Sequence, residues 1–280
     1  MKANSNNSAG LRGQVAGETE LCTVGQSGTG LTYRGYEITD LANNAEFEEI
    51  AFLLLKGHLP NSQELNSYKT KLKKLREIPS ELKSVLEQIP SNSHPMDVMR
   101  TGCSMLGCLE TEESFSEEDD KIDRMLALFP SIISYWYRYS HDKVRIDTVT
   151  DDDTIGAHFL RLLHDEKPSN LYTKVMNVSL ILYAEHEFNA STFAARVCAS
   201  TLSDLHSCIT AAIGTLRGPH QGGANEAAMD LIQKFKSPDD AEKELLGMLQ
   251  RKEKIMGFGH AVYKESDPRN NVIKNWSKKL

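Results

Sequence analysis

Segments with helical spacing, bounded by clear start and stop signals, fill the sequence from Thr39 onward. Asn61 has the character of a helix cap, with Glu64 in the following turn. Ser237 precedes a proline, the order expected at a helix start. Gly57 ends the apolar segment 46–56. These signals predict an all-α protein.

The N-terminal region carries the one clear strand signal in the sequence. Leu21–Val24 and Leu31–Tyr33 are short β-favouring segments on either side of GQSGTG, which is typical of a turn. A polar stretch over residues 1–10 precedes them and is expected to be a loose tail. The predicted fold class is therefore all-α with a small N-terminal β-hairpin.

Two segments leave the number of helices open. Pro130 lies inside a helical segment and is expected to kink or divide it. The segment 190–216 is compatible with one long helix or with two, with Asp204 and His206 near its middle.

Composition excludes several classes of partner. A net charge of −7 over 280 residues argues against nucleic acid, which requires clustered Lys and Arg. No apolar run reaches the roughly 20 residues that span a bilayer, so no membrane contact is predicted. The N-terminus lacks the apolar region of a secretory signal. Five cysteines without CxxC spacing predict reduced thiols in a cytoplasmic protein.

The acidic run Asp147–Asp153 has two interpretations. Clustered carboxylates bind magnesium in some helical synthases, but those enzymes use two facing clusters, and the sequence contains no second one. The alternative is that the acids favour the N-terminus of the following helix, TIGAHFLRLLH. We prefer the second interpretation.

Three short motifs combine a histidine with polar or glycine-rich chain. The first motif is 182–192 (LYAEHEFNAST), the second 217–229 (RGPHQGGANEAAM) and the third 257–270 (GFGHAVYKESDPRN). Such loops on rigid helices are typical of a small-molecule site. The remaining histidines lie at helix ends or on helix faces and are interpreted as structural: His58, His94, His141, His158, His164 and His206.

The third motif is the richest in chemistry. Gly257 and Gly259 surround His260, and glycines permit unusual dihedrals and close approach of the backbone to a ligand. Arg269 lies shortly downstream, where a guanidinium can hold a carboxylate through two hydrogen bonds.

The other two motifs place histidines beside groups that can modify them. In the second motif, His220 and Gln221 precede two glycines and a helix whose unpaired N–H groups are expected to attract an oxygen. In the first motif, His186 lies between Glu185 and Glu187, which would favour its protonated form at close range. A shared catalytic site and a set of simple turns both remain open at this stage.

Sequence patterns for metals and common cofactors are missing. The sequence contains no HxxxH or HExxH pair, no GxSxG elbow, no Walker loop and no GxGxxG after a strand. No metal and no cofactor are predicted.

The motifs resemble the citrate synthase family, most closely its 2-methylcitrate synthase branch. Matching segments occur in the same order through nearly the whole chain from about Leu11. They are LCTVGQSGTGLTYRGYEITDLA, SHPMDVMRTG, LLHDEKPSN, LYAEHEFNASTFAARV, GGANEAAM and GFGHAVYKESDPRN.

The resemblance implies a mostly helical homodimer. Each subunit of the family has a large and a small domain around a cleft. Residues 11–214 then correspond to the large helical domain, incomplete without its C-terminal helices, and residues 215–280 to part of the small domain.

The resemblance also implies a reaction. The family condenses an acyl-CoA with oxaloacetate, without metal: a carboxylate removes an α-proton from the thioester, one histidine stabilises the enolate and another polarises the ketone. The coupled thioester is then hydrolysed. Propionyl-CoA is the expected substrate, with acetyl-CoA also accepted, and coenzyme A is part of the substrate rather than a cofactor.

Several residues of this chain match positions with known roles in the family. His260 resembles the ketone-binding histidine, His186 the oxaloacetate-binding histidine and Arg269 a carboxylate-binding arginine. The segment that meets coenzyme A is matched by Lys254, Met256, Gly257, Phe258 and Gly259.

One departure from the family lies in the second motif. The family pattern is RGPxHGGAN, with the enolate-binding histidine directly before the glycines. In RGPHQGGAN, Gln221 occupies that position and His220 precedes it. A glutamine amide can donate a hydrogen bond but does not titrate, and His220 reaches the enolate only if the loop rearranges.

A second departure concerns the end of the sequence. Family members continue beyond the match to Leu280. The resemblance assigns to that continuation the catalytic aspartate, two further substrate-binding arginines and helices that complete the large domain. Asp267 lies in the neighbourhood of the missing base, but the sequence does not support that role for it.

Two hypotheses follow. The first is an acyl-CoA:oxaloacetate condensing enzyme of the 2-methylcitrate synthase type, in a shortened or disrupted form. The second is a non-catalytic relic or assembly partner of the same fold, which Gln221 and the early end favour.

Overall fold

The computed structural model describes residues 15–25, 30–259, 263 and 265–280. The predicted tail over residues 1–10, most of the predicted hairpin turn and His260 lie outside the described residues.

Three short strands precede a series of helices. The strands are β1 (Cys22–Val24), β2 (Leu31–Tyr33) and β3 (Tyr36–Glu37). The α-helices in the described part of the chain are α1 (Ile38–Asn44), α2 (Phe47–Lys56), α3 (Ser62–Lys74), α4 (Ser80–Leu86), α5 (Pro95–Leu109), α6 (Glu118–Tyr137), α7 (Ile155–His164), α8 (Asn170–Tyr183), α9 (Ala190–Ala199), α10 (Leu205–Leu216), α11 (Gly223–Ile232), α12 (Pro238–Gln250) and α13 (Pro268–Ser277). A 3₁₀ turn (Phe115–Glu117) precedes α6 and a π-helix (Arg138–Asp142) follows it.

The predicted N-terminal hairpin is confirmed. β1 and β2 pair in antiparallel orientation, with Cys22 opposite Tyr33. β3 adds a third strand to the same sheet, which the sequence reading missed. The sequence signal for this strand was Gly35, placed two residues after β2. In the structure, Arg34 (φ 44°) and Gly35 (φ 88°) form a two-residue connection with positive φ at both positions, as tight hairpins prefer.

The predicted helix boundaries are also confirmed. The Asn61 side chain accepts hydrogen bonds from the backbone of Gln63 (2.9 Å) and Glu64 (3.0 Å) at the start of α3. Ser237 caps α12 by accepting from the Asp240 N–H at 3.1 Å. Gly57 ends α2 with a left-handed φ of 89°. Local capping chemistry therefore sets these ends.

The two open segments resolve in different ways. Pro130 does not divide its helix, because α6 is continuous across it. Only one backbone donor is lost there, while Leu128 and Ile132 are fully buried around it. Residues 190–216 form two helices, since Asp204 caps α10 through the Ser207 N–H at 2.9 Å.

The acidic run before α7 contributes ion pairs rather than the cap. Thr154 caps α7 by accepting from the Ala157 N–H at 3.1 Å, so the expectation that an aspartate does so is wrong. Asp152 is paired with Arg161. Asp153 contacts Lys69 at 2.7 Å and Lys73 at 3.1 Å. Two of the carboxylates in the run, Asp152 and Asp153, are thus paired with neighbouring basic side chains.

Three apolar clusters hold the helices together. The first joins β1, β2, α1, α2 and α8 to α13. The second joins α4, α5, α6 and α10, and the third joins α2, α3, α6 and α7. Because Val272 of α13 is buried in the first cluster, the helix that carries Arg269 is fixed against α1 and α8.

In the described part of the chain, His158 and His206 are both buried between the helices. His158 is fully buried, with Nε2 3.0 Å from Ser131 Oγ and Nδ1 3.0 Å from Thr150 Oγ1. Burial lowers the pKa of His158 to about 3, so its ring is neutral in the folded protein. This fits the structural role predicted for it.

None of the helices in the described part of the chain combines the length and the apolar character needed to cross a membrane.

Candidate active site

The first and third motifs meet through two aromatic side chains. His186 lies in the short loop between α8 and α9, half-buried, with Nε2 3.0 Å from Tyr263 Oη. The two rings meet edge to face, with centroids 5.5 Å apart. Burial and the nearby charge of Asp267 raise the pKa of Tyr263 to about 12. The phenol therefore keeps its proton at neutral pH and remains a fixed hydrogen-bonding partner of His186.

Arg269 is held in the same region by the start of α13. Asp267 caps this helix, and its carboxylate accepts from Arg269 Nε at 2.9 Å and from Nη2 at 2.6 Å. The arginine side chain is 19% exposed. Burial opposes its charge, but the paired carboxylate outweighs that effect and raises the pKa of Arg269. Asp267 thus occupies the Nε/Nη2 edge of the guanidinium, while Nη1 makes no hydrogen bond with the described residues and suits a second carboxylate.

The second motif forms a compact turn before α11. The Gly218 carbonyl accepts from the N–H groups of Gln221 (2.9 Å) and Gly223 (3.2 Å). The Gln221 carbonyl accepts from Ala224 N–H at 3.0 Å. These bonds occupy the N–H groups at the start of α11, so the prediction that they are unpaired is wrong. The turn satisfies its own donors.

Close backbone packing explains the glycine pair in this turn. A Cβ on Gly222 would lie 2.7 Å from the Leu216 carbonyl oxygen, and one on Gly223 would lie 2.7 Å from that of Arg217. Either contact is too short for a side chain. The turn that carries Gln221 therefore requires glycine at both positions.

Gln221 joins the second motif to the first. Its Nε2 donates to Asn189 Oδ1 at 2.8 Å and to Ser191 Oγ at 2.6 Å. Asn189 Oδ1 also caps α9 by accepting from Thr192 N–H, which fixes it as the acceptor. Both amide hydrogens of Gln221 are used, while its Oε1 is buried and has no hydrogen-bond partner among the described residues. His220 beside it is exposed and makes no hydrogen bond with the described residues.

The third motif approaches the second along α11. Gly257 and Gly259 have φ of 92° and 83°, which confirms the unusual dihedrals predicted for these glycines. A Cβ on Gly257 would lie 3.1 Å from the Ala228 Cβ of α11. Lys254 is exposed and Phe258 is 71% exposed.

The predicted site residues in the described part of the chain thus lie in three places. His186 and Arg269 lie near the N-terminal sheet, and Gln221 is tied to the start of α9. The predicted coenzyme A segment lies at the surface near α11, with Met256 half-buried. His260, predicted to bind the ketone, is outside the described residues.

Several contacting residues were missed by the sequence reading. Tyr263 and Asp267 belong to the third motif, and Asn189 and Ser191 to the first. The signal for Asn189 was its place directly before a helical segment, which is typical of a cap. The sequence offered no signal for the contact between Tyr263 and His186, because it joins segments 77 residues apart.

Within residues 15–25, 30–259, 263 and 265–280, no group of three His, Cys, Asp or Glu side chains is arranged to hold a metal ion.

Comparison with known proteins identifies the class. Residues 10–280 match the family model described as citrate synthase, C-terminal domain. The chain therefore belongs to the citrate synthase family. It is 71% identical over 272 residues to the 2-methylcitrate synthase of Shewanella oneidensis, a match that covers 97% of this chain and 72% of that protein. It is 40% identical to the 2-methylcitrate synthase of Mycobacterium tuberculosis, over 95% of this chain and 67% of that one.

Solved structures confirm the predicted fold class. Citrate synthase from Thermoplasma acidophilum, solved as a ternary complex with carboxymethyl coenzyme A and oxaloacetate, superposes with a TM-score of 0.89 at 33% identity. That match covers 96% of this chain and 71% of the other. Citrate synthase from Thermotoga maritima gives a TM-score of 0.85 at 36% identity, covering 97% and 72% of the two chains.

Proposed function

We propose that this chain is an acyl-CoA:oxaloacetate condensing enzyme of the 2-methylcitrate synthase type. It would convert propionyl-CoA, oxaloacetate and water to 2-methylcitrate and coenzyme A, and acetyl-CoA to citrate. The observation that carries the proposal is the convergence of the three motifs, through His186 on Tyr263 and Gln221 on Asn189. The 71% identity to a 2-methylcitrate synthase supports it.

The oxaloacetate half of the site is assigned to the first and third motifs. Arg269 would bind a substrate carboxylate with its Nη1 side while Asp267 holds the opposite edge. His186, oriented by Tyr263, would donate to oxaloacetate, and His260 would polarise its ketone. The Asp267 carboxylate is engaged by Arg269 and is therefore assigned to orienting that arginine rather than to removing a proton.

The acyl half is assigned to the second and third motifs. An enolate needs a hydrogen-bond donor at its oxygen, and His220 and Gln221 are the candidates. Gln221 would have to release Asn189 or Ser191 to provide one. Coenzyme A would lie along Lys254, Met256 and the backbone of Gly257, Phe258 and Gly259, and no metal or cofactor takes part.

The non-catalytic alternative is less well supported. A scaffold would need only the apolar clusters, whereas this chain also keeps His186 and Arg269 in contact with ordered partners. High identity to a named synthase over 97% of the chain also favours catalysis. Gln221 favours the alternative, because it occupies the position of the enolate-binding histidine of the family.

We further propose a homodimer that serves propionate metabolism in the cytoplasm. No residue of α11 or α12 is buried. Four of their large apolar side chains are exposed, including Ile232 at 63% and Leu249 at 60%. A second copy would cover such surface. The five cysteines are free thiols, which suits a reducing compartment.

Release of free coenzyme A thiol tests the function directly. The assay supplies oxaloacetate with propionyl-CoA or acetyl-CoA. Two samples are compared: this chain, and this chain continued with the residues that follow the matched part of the Shewanella relative. His260→Ala in each sample is the control.

Release above that control in either sample supports the proposal, and the better acyl-CoA identifies the preferred substrate. If both samples unfold cooperatively and neither releases thiol, the proposal fails and the scaffold alternative replaces it. Sedimentation of the same samples tests the dimer, and a monomer at assay concentration would overturn that part.

A further inference from the structure

Two residues of the N-terminal sheet, Cys22 and Tyr33, contact the loop that carries His186. Cys22 and Tyr33 are direct partners across β1 and β2, so their side chains lie on the same face of the sheet. Both are buried, with exposures of 6% and 0%. That face meets the end of α8 and the loop that follows it.

This pair binds the backbone on both sides of His186. Tyr33 Oη donates to the Ile181 carbonyl at 2.9 Å and accepts from the Glu185 N–H at 3.3 Å. Cys22 Sγ accepts from the Glu187 N–H at 3.0 Å. The residues before and after the histidine are therefore fixed to the same two strands.

A side-chain contact and a strained residue add to this arrangement. The Cys22 thiol donates to Glu185 Oε1 at 3.5 Å. Glu187 has a φ of 56°, a left-handed conformation that is strained for a non-glycine residue. The hydrogen bond from its N–H to Cys22 stabilises the backbone where that strain occurs.

We propose that Cys22 and Tyr33 are positioning residues that fix the orientation of the His186 side chain in the proposed oxaloacetate site. They touch no reacting atom and act through the backbone of residues 185–187. The inference rests on the proposed function, since that function assigns oxaloacetate to His186 as its ligand. It gives the N-terminal sheet a role in substrate binding.

The chemistry of the two groups suits positioning rather than reaction. Burial and the nearby Glu185 charge raise the pKa of the Cys22 thiol to about 12, so the thiolate needed for nucleophilic chemistry is suppressed. Burial also raises the pKa of Tyr33. Both groups stay protonated and can donate and accept a hydrogen bond at once.

The opposite face of the same strands supplies matched controls. Thr23 and Thr32 are also direct cross-strand partners, but their side chains lie on the other face, where Thr23 is exposed. Cys22→Ala and Tyr33→Phe remove the hydrogen bonds, and Cys22→Ser keeps a donor and an acceptor. Thr23→Val and Thr32→Val change polarity at the neighbouring cross-strand pair, on the face that does not meet the His186 loop.

Three measurements on the full chain test the inference. Calorimetry gives the Kd of oxaloacetate and of coenzyme A, and nitrogen NMR follows the His186 ring, assigned with His186→Asn. We expect Cys22→Ala and Tyr33→Phe each to weaken oxaloacetate binding roughly tenfold, the scale of one lost hydrogen bond. Coenzyme A binding should stay within about twofold of the parent. The His186 ring signals should shift, Cys22→Ser should recover most of the affinity, and the threonine variants should match the parent.

Other results would overturn the inference. Equal losses of oxaloacetate and coenzyme A affinity would indicate general destabilisation. Unchanged His186 signals in folded Cys22→Ala and Tyr33→Phe would remove the positioning role. If one variant fails to fold, the other and Cys22→Ser still decide. If the parent binds no oxaloacetate, the proposed function fails, whereas the NMR signals still test whether the pair positions His186.

Discussion

Restoring a histidine at position 221 is expected to raise turnover by two to three orders of magnitude. The change is Gln221→His together with His220→Leu, tested against each single substitution. It matters because the Gln221 amide donates both of its hydrogens, to Asn189 at 2.8 Å and to Ser191 at 2.6 Å. In this arrangement the amide has no hydrogen left for an enolate oxygen.

The magnitude follows from the difference between the two side chains. An imidazole carries nitrogens on two sides of its ring, so one can keep the bond to Ser191 while the other faces the substrate. The glutamine amide, while it keeps its bonds to Asn189 and Ser191, supplies no donor to the enolate. Loss of an oxyanion donor typically lowers kcat by about 10²–10³, and we expect the histidine to recover that factor.

The assay is release of coenzyme A thiol from propionyl-CoA with saturating oxaloacetate. It uses the parent, both single variants and the double variant, each also continued with the residues that follow the matched part of the Shewanella relative. Gln221→His should account for most of the gain. His220→Leu alone should have little effect, because His220 is exposed and bonds to none of the described residues.

Two results would refute this reasoning. If Gln221→His gives no gain while oxaloacetate binding is unchanged, the amide at this position does not limit turnover. If His220→Leu alone abolishes turnover, His220 is the enolate donor and the turn rearranges when substrate binds. Unfolding temperatures of all four proteins separate either result from loss of the fold.

Three further predictions concern binding, acid stability and backbone strain. Arg269→Ala should weaken oxaloacetate binding at least tenfold and coenzyme A binding much less. The control Arg251→Ala removes an exposed ion-paired arginine and should change neither affinity. Equal losses for both ligands would remove the assignment of Arg269 to the oxaloacetate carboxylate. Because burial lowers the pKa of His158 from 6.5 to about 3, its contribution to stability is complete above pH 6.5 and should be lost toward pH 3, in total on the order of 5 kcal/mol. Denaturant unfolding from pH 7 to 4 should show most of this loss, about 3 kcal/mol, relative to His158→Gln, and a difference between the two proteins that does not vary with pH would contradict it. Gly257→Ala and Gly259→Ala should each cost about 1 kcal/mol of unfolding free energy because both have positive φ, with the larger loss at Gly257, whose Cβ would contact α11; equal thermal shifts would argue against that contact.

The elements that the sequence predicted well are those set by local chemistry. Asn61, Ser237 and Gly57 act on backbone groups within four residues of themselves, so their roles can be inferred from neighbouring letters. The same holds for Gly257 and Gly259, whose positive φ values follow from glycine in a short polar loop. Helix and strand signals supplied the all-α class with its N-terminal hairpin, and the family resemblance supplied the citrate synthase fold, which the solved structures bear out.

The features that the sequence did not predict depend on contacts between distant segments. The bond between His186 and Tyr263 spans 77 residues, and the contact of Cys22 with the His186 loop spans 165. Neither can be found from periodicity or capping. The continuity of α6 across Pro130 is similar, because surrounding core packing outweighs the local preference of proline to break a helix.

The two halves of the proposed site differ in how they are held. The oxaloacetate half is built on the first apolar cluster, which contains Cys22, Tyr33 and Val272 of α13. The acyl half lies along α11, which buries no residue in the described structure. Order in the first half is therefore supplied by the fold itself. In the second half we expect a bound acyl-CoA to add order, and the free energy of that ordering would reduce its observed affinity.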